Sequence, residues 1–155
     1  MNPHHMQAAI DLALEAVAGG IGGPFAAVIV KDHRVIGRGI NRVVPDNDPT
    51  AHAEIVAIRD ACRHFGTFTL SDCEIYVNCE PCPMCLCALM WARVSRIYFG
   101  CTRQDAAAVG FDDERFYNEL ALPVEHRPVS MQQIMRKEAL SAFRAWQEKP
   151  ERIPY

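Results

Sequence analysis

The chain has 155 residues, of which 50% are hydrophobic and 23% charged, and its formal net charge is -3 at pH 7. These values indicate one globular domain over residues 1–155 with a core of its own, and the acidic balance argues against a nucleic-acid partner. An odd number of cysteines, no export signal and no apolar run long enough to cross a bilayer predict a cytoplasmic protein without disulfides or membrane attachment.

The N-terminal half is predicted to be helix, strand, strand, helix. Apolar residues recur at helical spacing from Met6 to Val17, and Gly19 and Gly20 end this helix. The next segment is continuously apolar and β-branched, which is typical of a strand buried on both faces. A polar turn leads to a second, antiparallel strand, and Asp48 is predicted to cap the following helix. The two strands and this helix are predicted at residues 24–30, 35–41 and 50–64.

The C-terminal half continues with strands and helices in alternation. A cysteine-rich segment begins a helix that separates two further strands, and two short helical stretches flank Gly110. Strands separated by helices of this length pair in parallel, which predicts an α/β fold and a three-layer α/β/α sandwich. Strands are predicted at 73–78, 96–100 and, weakly, 124–129, and helices at 81–93 and 131–147.

Four cysteines fall within CEPCPMCLC, residues 79–87. Cys79, Cys82 and Cys85 form overlapping C-x-x-C pairs, so the segment suits a disulfide cluster, an iron–sulfur site, structural zinc or half of a catalytic zinc site. The odd cysteine count argues against disulfides, and a chain of this length needs no structural zinc to hold its core. An iron–sulfur cluster requires a fourth suitably placed cysteine and leaves the upstream motif HAE without a role.

The motif HAE favours the catalytic zinc site. His52 is predicted in the first turn of one helix, while Cys82 and Cys85 share a face in the first turn of the next, where the thiolate form is favoured. If these helix ends lie side by side, one imidazole and two thiolates form a zinc site with an open fourth position. Glu54 is badly spaced to be a ligand and is predicted to carry a proton from zinc-activated water to a leaving group. The remaining cysteines are predicted to be small buried side chains, namely Cys62, Cys73, Cys79, Cys87 and Cys101.

The pair H-x-E and P-C-x-x-C is the signature of zinc deaminases. On HAE, PCPMC, GIGGPFAAVIVKD, NDPTAHAEIVAIR, WAR, GFDD and FRAW, essentially the whole chain resembles the cytidine-deaminase-like superfamily and, within it, the bacterial branch that deaminates free guanine. The resemblance implies a mixed five-stranded sheet, a homodimer and one Zn²⁺ per subunit on His52, Cys82 and Cys85. It also implies hydrolysis of guanine to xanthine and ammonia, with Glu54 as the proton shuttle.

The same resemblance implies a pocket for a small purine base. Asn41 would hydrogen-bond the purine, and Asp113 of GFDD would accept from the N–H groups of guanine. Phe25 and Trp91 would be aromatic walls. A C-terminal tail, about residues 148–155, would close the pocket of its own subunit or, by exchange within the dimer, that of the partner subunit. The complete set of implied substrate contacts is Phe25, Asn41, Ala53, Trp91, Asp113 and Tyr155.

Several alternatives stay open. A tRNA adenosine deaminase shares the zinc motifs but needs a cationic surface for an anticodon loop, and a cytosine deaminase fits the chain less well. A zinc-stabilised binding protein is the non-enzymatic alternative, although it has no use for Glu54. Guanine-like triazines such as ammeline are candidate side substrates. Asp112 is the other candidate for the contact assigned to Asp113.

Overall fold

The sheet combines a hairpin with two strands that flank a helix. β1 (Ala26–Lys31) and β2 (Arg34–Ile40) pair antiparallel across a turn in which Asp32 and His33 have positive φ angles, as two-residue hairpin turns require. β1 also pairs antiparallel with β3 (Glu74–Cys79), and β3 pairs parallel with β4 (Arg96–Cys101). The strand order in this computed structural model, which describes residues 1–154, is β2-β1-β3-β4.

Two layers of helix cover the two faces of the sheet. Because side chains alternate along a strand, Val28 and Val30 of β1 face α1, while Ala27 and Ile29 face the opposite layer formed by α3 and α4. β1 is thus buried on both faces, and the predicted α/β/α order is confirmed. The helices are α1 (Pro3–Ala18), α2 (Val43–Asp46), α3 (Ala53–Phe65), α4 (Pro83–Trp91), α5 (Arg103–Ala108), α6 (Asp113–Leu120) and α7 (Arg136–Glu148).

The chain divides into two compact units. The first runs from Met1 to Tyr117 and contains the whole sheet. The second begins at Asn118 and contains a 3-10 turn, Val124–His126, and α7. Among residues 1–154, every helix is too short or too polar to cross a bilayer.

The prediction of a fifth strand is wrong for the described part of the chain, where the mixed sheet has four strands. Within residues 124–129, Val124–His126 form the 3-10 turn instead, and residues 127–129 are bends. Pro123 and Pro128 bracket this segment, and neither has the backbone N–H that a strand pair requires. The intervening residues are too few to form a stable ladder.

Two predicted helix starts are also wrong. α3 begins at Ala53 rather than residue 50, because the Asp48 carboxylate accepts hydrogen bonds from the N–H and hydroxyl of Thr50, at 2.8 and 2.7 Å, and holds a turn. α7 begins at Arg136 rather than residue 131, because Met135 has a left-handed backbone with φ 50°.

Gly39 allows α3 to approach β2 closely. A Cβ atom at this position would overlap the backbone of Ala53 and Ala57. We expect Gly39→Ala to lower the free energy of unfolding by about 3 kcal/mol or more, since backbone atoms cannot move aside cheaply. Denaturant unfolding measures this, with Gly23→Ala as the control, because the nearest neighbour of a Cβ atom there would lie 3.5 Å away. Equal losses in the two variants would contradict the prediction.

Candidate active site

His52 stands at the N-terminus of α3, as its N-cap rather than within the first turn. The preceding loop is tied to the end of β2, because the Arg42 N–H donates to the carbonyl of Ala51 at 2.8 Å. Ala53 and Glu54 follow as the first residues of the helix, where backbone N–H groups lack intrahelical acceptors. Only 7% of Glu54 is exposed, which makes it a buried carboxyl group at the base of a cavity.

Cys82 has the equivalent place at the N-terminus of α4, with Pro83 at the first helical position. The loop before it is held by the N–H of Glu80, which donates to the carbonyl of Cys101 at 2.8 Å, and by the Tyr117 hydroxyl, which donates to the carbonyl of Pro81 at 2.8 Å. Cys85 lies one turn further along the helix and is fully buried.

The imidazole and the two thiols lie together with the spacing of a zinc site. All three potential ligand atoms are within 4.8 Å of one another, and His52 Nδ1 is 3.6 Å from Cys82 Sγ. Zn–N and Zn–S bonds of roughly 2.1 and 2.3 Å in tetrahedral geometry separate their ligand atoms by roughly 3.6 Å. His52, Cys82 and Cys85 therefore fit a zinc ion, and three protein ligands leave a fourth position for water or substrate.

The surroundings of Cys82 favour the thiolate form of its side chain, which is the form that binds a metal cation. A hydrogen bond from Cys85, opposed by burial and supported by His52, lowers the pKa of the Cys82 thiol to about 4. Donation to Cys82 and burial raise the pKa of Cys85 instead. The hydrogen bond with Cys82 also raises the pKa of His52. Burial raises the pKa of Glu54 above its usual range.

A cavity of about 620 Å³ opens in front of this cluster. The Phe25 ring packs edge-on against Phe111, with centroids 4.6 Å apart, and the two form its aromatic part. Asn41 and Asp113 supply polar groups to the lining, and burial raises the pKa of the Asp113 carboxyl. The predicted site residues that meet at this cavity are Phe25, Asn41, His52, Ala53, Glu54, Cys82 and Asp113.

Two predicted substrate contacts are not among these residues. Trp91 ends α4 with 63% of its surface exposed and, in the described chain, is not part of the cavity lining. Tyr155 lies outside the described residues. The assignment of both to the substrate stays a prediction.

The prediction that the other cysteines are buried is correct for Cys73 and Cys79, and Cys62 packs half-buried against the core. It is wrong for Cys87 and Cys101, which are exposed. Cys87 is two residues from Cys85 on α4, so the two side chains point apart. Cys101 ends β4, the last strand of the sheet among the described residues.

Several cavity residues were not predicted from the sequence. Phe111 directly precedes the two aspartates of GFDD, so an aromatic residue beside a predicted substrate carboxylate was the available signal. Asn78 is a polar residue near the end of β3, directly after the apolar residues 75–77, which is a weaker signal of the same kind. Gly22 comes close to the chain at Asn41, where a Cβ atom would overlap the carbonyl oxygen.

This fold and this cluster define a class of protein. Residues 2–101 match the cytidine and deoxycytidylate deaminase zinc-binding region, and the chain belongs to that family of zinc-binding deaminases. It is 50% identical over 141 residues to guanine deaminase of Bacillus subtilis, covering 91% of this chain and 90% of that protein.

Solved structures and more distant relatives agree with this assignment. The crystal structure of guanine deaminase from Bacillus subtilis superposes with a TM-score of 0.96 at 47% identity, covering 100% of this chain and 99% of that one. A tRNA-specific adenosine deaminase of Haemophilus influenzae is 38% identical over 122 residues, covering 74% of this chain and 69% of that protein. Sequence identity and coverage are therefore both higher for the guanine deaminase than for this tRNA-specific adenosine deaminase.

Proposed function

We propose that this protein hydrolyses the free base guanine to xanthine and ammonia. The observation that carries the proposal is the single cavity in which Glu54 lies beside His52 and Cys82, with Asn41 and Asp113 also in its lining. The 50% identity with a guanine deaminase over 91% of the chain supports guanine as the base.

His52, Cys82 and Cys85 are the proposed zinc ligands. A zinc ion held there supplies a Lewis acid that lowers the pKa of water towards about 7. Glu54 is buried at the same place and within hydrogen-bonding reach of the Cys85 thiol. We propose that its carboxylate takes a proton from the attacking water and delivers it to the amino group that leaves C2 as ammonia. A carboxyl group with a raised pKa suits both halves of this transfer.

Recognition of the base is assigned to Asn41 and Asp113. The Oδ1 atom of Asn41 accepts a hydrogen bond from the N–H of Val43 at 3.2 Å, which orients the amide and leaves its NH₂ group to donate to a ligand acceptor. Asp113 begins α6 and offers only acceptors when ionised, so it matches the N–H donors of guanine. The donor and the acceptor together distinguish guanine from adenine, which has no N1–H. Ala53, in the buried first turn of α3, completes this wall of the cavity.

We expect Asp113→Asn to lower kcat/KM for guanine by about 10- to 100-fold, because it replaces a charged acceptor with a partly donating amide. Steady-state kinetics measures this. Asp112→Asn is the matched control, since the Asp112 side chain is 67% exposed and pairs with Arg115 at 3.7 Å. A larger loss in the Asp112 variant would move the contact to that residue.

A product assay tests the proposed function directly. Zinc-loaded protein is incubated with guanine, adenine, cytosine and ammeline, and products are separated by chromatography. Xanthine from guanine supports the proposal, and turnover of ammeline beside it would establish the triazine side activity. If no free base is converted but an anticodon stem-loop gains inosine, the protein is a tRNA adenosine deaminase. Zinc binding without turnover of any substrate would favour a binding protein.

We also propose that two chains associate. The outward face of α4 is apolar, and its Met84, Met90 and Trp91 are 37%, 64% and 63% exposed. Neighbouring exposed apolar groups of this kind mark interaction surfaces. Sedimentation equilibrium is expected to give twice the 17.4 kDa mass of one chain. A mass of one chain at micromolar concentration would contradict the homodimer.

The remaining parts of the proposal concern the tail and the cell compartment. Closure of the pocket by residues 148–155, with or without exchange between subunits, and the single deaminase domain over residues 1–155 stay predictions. The free cysteines fit a reducing compartment, and a cytoplasmic location is proposed on that basis.

A further inference from the structure

Asn78 connects β3 to the aromatic wall of the cavity. Its Nδ2 atom donates to the carbonyl oxygen of Pro24, and its Oδ1 atom accepts from the N–H of Ala26, both at 2.8 Å. These two backbone groups lie on either side of Phe25. A single side-chain amide therefore holds the chain before and after a residue that lines the cavity.

On the side that faces β3, the segment around Phe25 has few other restraints. Gly22 and Gly23 precede it without side chains, and Pro24 has no N–H to donate. The regular pairing of β1 with β3 ends at Ala27 opposite Val77. One residue further, the Asn78 amide supplies two hydrogen bonds in place of the backbone ladder.

Phe25 itself contacts two other residues of the cavity lining. The carbonyl oxygen of Phe25 accepts a hydrogen bond from the N–H of Asn41 at 3.0 Å. The ring of Phe25 meets Phe111 edge-on with an interplanar angle of 80°, so a small displacement of the backbone would break this contact. The position of Phe25 therefore affects the positions of Asn41 and Phe111, which also line the cavity.

We propose that Asn78 is a positioning residue for substrate binding, which acts by holding Phe25 in place to receive the purine ring. The inference rests on the proposed function. Both polar atoms of the Asn78 amide are engaged with backbone groups next to Phe25, which assigns the residue to the support of the wall. An aromatic wall contributes equally to the bound substrate and to the transition state, so its loss affects KM more than kcat.

The first test is Asn78→Ala. The KM for guanine is expected to rise about 10-fold while kcat changes by less than about twofold, because two hydrogen bonds that order the wall are lost. Zinc content, measured by atomic absorption, is expected to stay equal to that of the wild type. Asn2→Ala is the matched control, since Asn2 Oδ1 also accepts from a backbone N–H, that of His4 at 3.1 Å, but lies in the N-cap of α1. It is expected to lower Tm and leave KM unchanged.

The second test is a double-mutant cycle with Phe25→Ala. If Asn78 acts through the Phe25 ring, Asn78→Ala in the Phe25→Ala background is expected to change KM by less than about threefold. Asn78→Asp keeps the acceptor for Ala26 but places a second acceptor against the carbonyl oxygen of Pro24, so it is expected to raise KM at least as much as Asn78→Ala. It also serves as the single variant in the cycle if Asn78→Ala does not fold.

The outcomes separate this inference from the proposed function. An active wild type with unchanged KM in the Asn78 variants would overturn the positioning role alone. The same rise in KM in both backgrounds would also overturn it, because Asn78 would then act independently of Phe25. A wild type that does not convert guanine would overturn the proposed function, and this inference with it.

Discussion

Glu54→Gln is expected to abolish turnover of guanine while the fold and the zinc content are retained. Glutamine has the size of glutamate but cannot accept and return a proton, and general acid–base catalysis typically contributes about 10²- to 10⁴-fold. We therefore expect kcat to fall by about 10³-fold, measured as xanthine formed at saturating guanine. Zinc content by atomic absorption is expected to equal that of the wild type, because Glu54 is not a proposed ligand. Glu54→Ala should behave in the same way, and retained activity in either variant would contradict the proton-shuttle role.

The stability of the metal-free protein gives an independent check on this carboxyl group. Burial raises the pKa of Glu54 above its ordinary value of 4.5, so the folded state keeps its proton to higher pH than the unfolded state. Stability must then fall as pH rises from the ordinary pKa through the raised one. Glu54→Gln has no proton to lose and should lack this part of the fall. Denaturant unfolding of both metal-free proteins across that pH range measures the difference, and identical pH dependence would contradict the burial of an ionisable Glu54.

Cys85→Ser is expected to lose zinc and, with it, turnover. Cys85 is fully buried beside Cys82, and a serine hydroxyl at this place neither ionises at neutral pH nor matches the preference of zinc for sulfur. We expect less than about one tenth of the wild-type zinc content and a fall in kcat/KM of at least about 10²-fold. Removal of zinc from the wild type with a chelator should give the same loss of activity, and added Zn²⁺ should restore it only in the wild type.

The matched control is Cys87→Ser on the same helix. Cys87 is two residues away and exposed, so its replacement should change neither zinc content nor kcat/KM. Full zinc in Cys85→Ser would contradict the ligand set. Loss of zinc in Cys87→Ser would point instead to disruption of the helix as the cause.

Whether an element can be predicted from the sequence depends on how far apart in the chain the interacting residues are. The buried strand, its hairpin and the helix that starts near Cys82 follow from local patterns, because side-chain alternation, turn residues and helix-end residues act within a few positions. The predicted starts of α3 and α7 are too early. A hydrogen bond to the Asp48 side chain delays the start of α3, and the left-handed backbone of Met135 delays the start of α7. Both are local effects that residue type alone specifies weakly.

By itself the sequence determined the residue types of the candidate zinc group, the nearby carboxyl group and the order of strands and helices that brings two helix ends to one side of a sheet. Only the tertiary structure decided that Phe111 faces Phe25, that Asn78 holds the chain around it, and that Trp91 is exposed in one chain. These features depend on contacts between segments that are far apart in the chain. Such contacts leave no periodic pattern in the sequence, because whether two distant residues meet depends on how the whole chain folds.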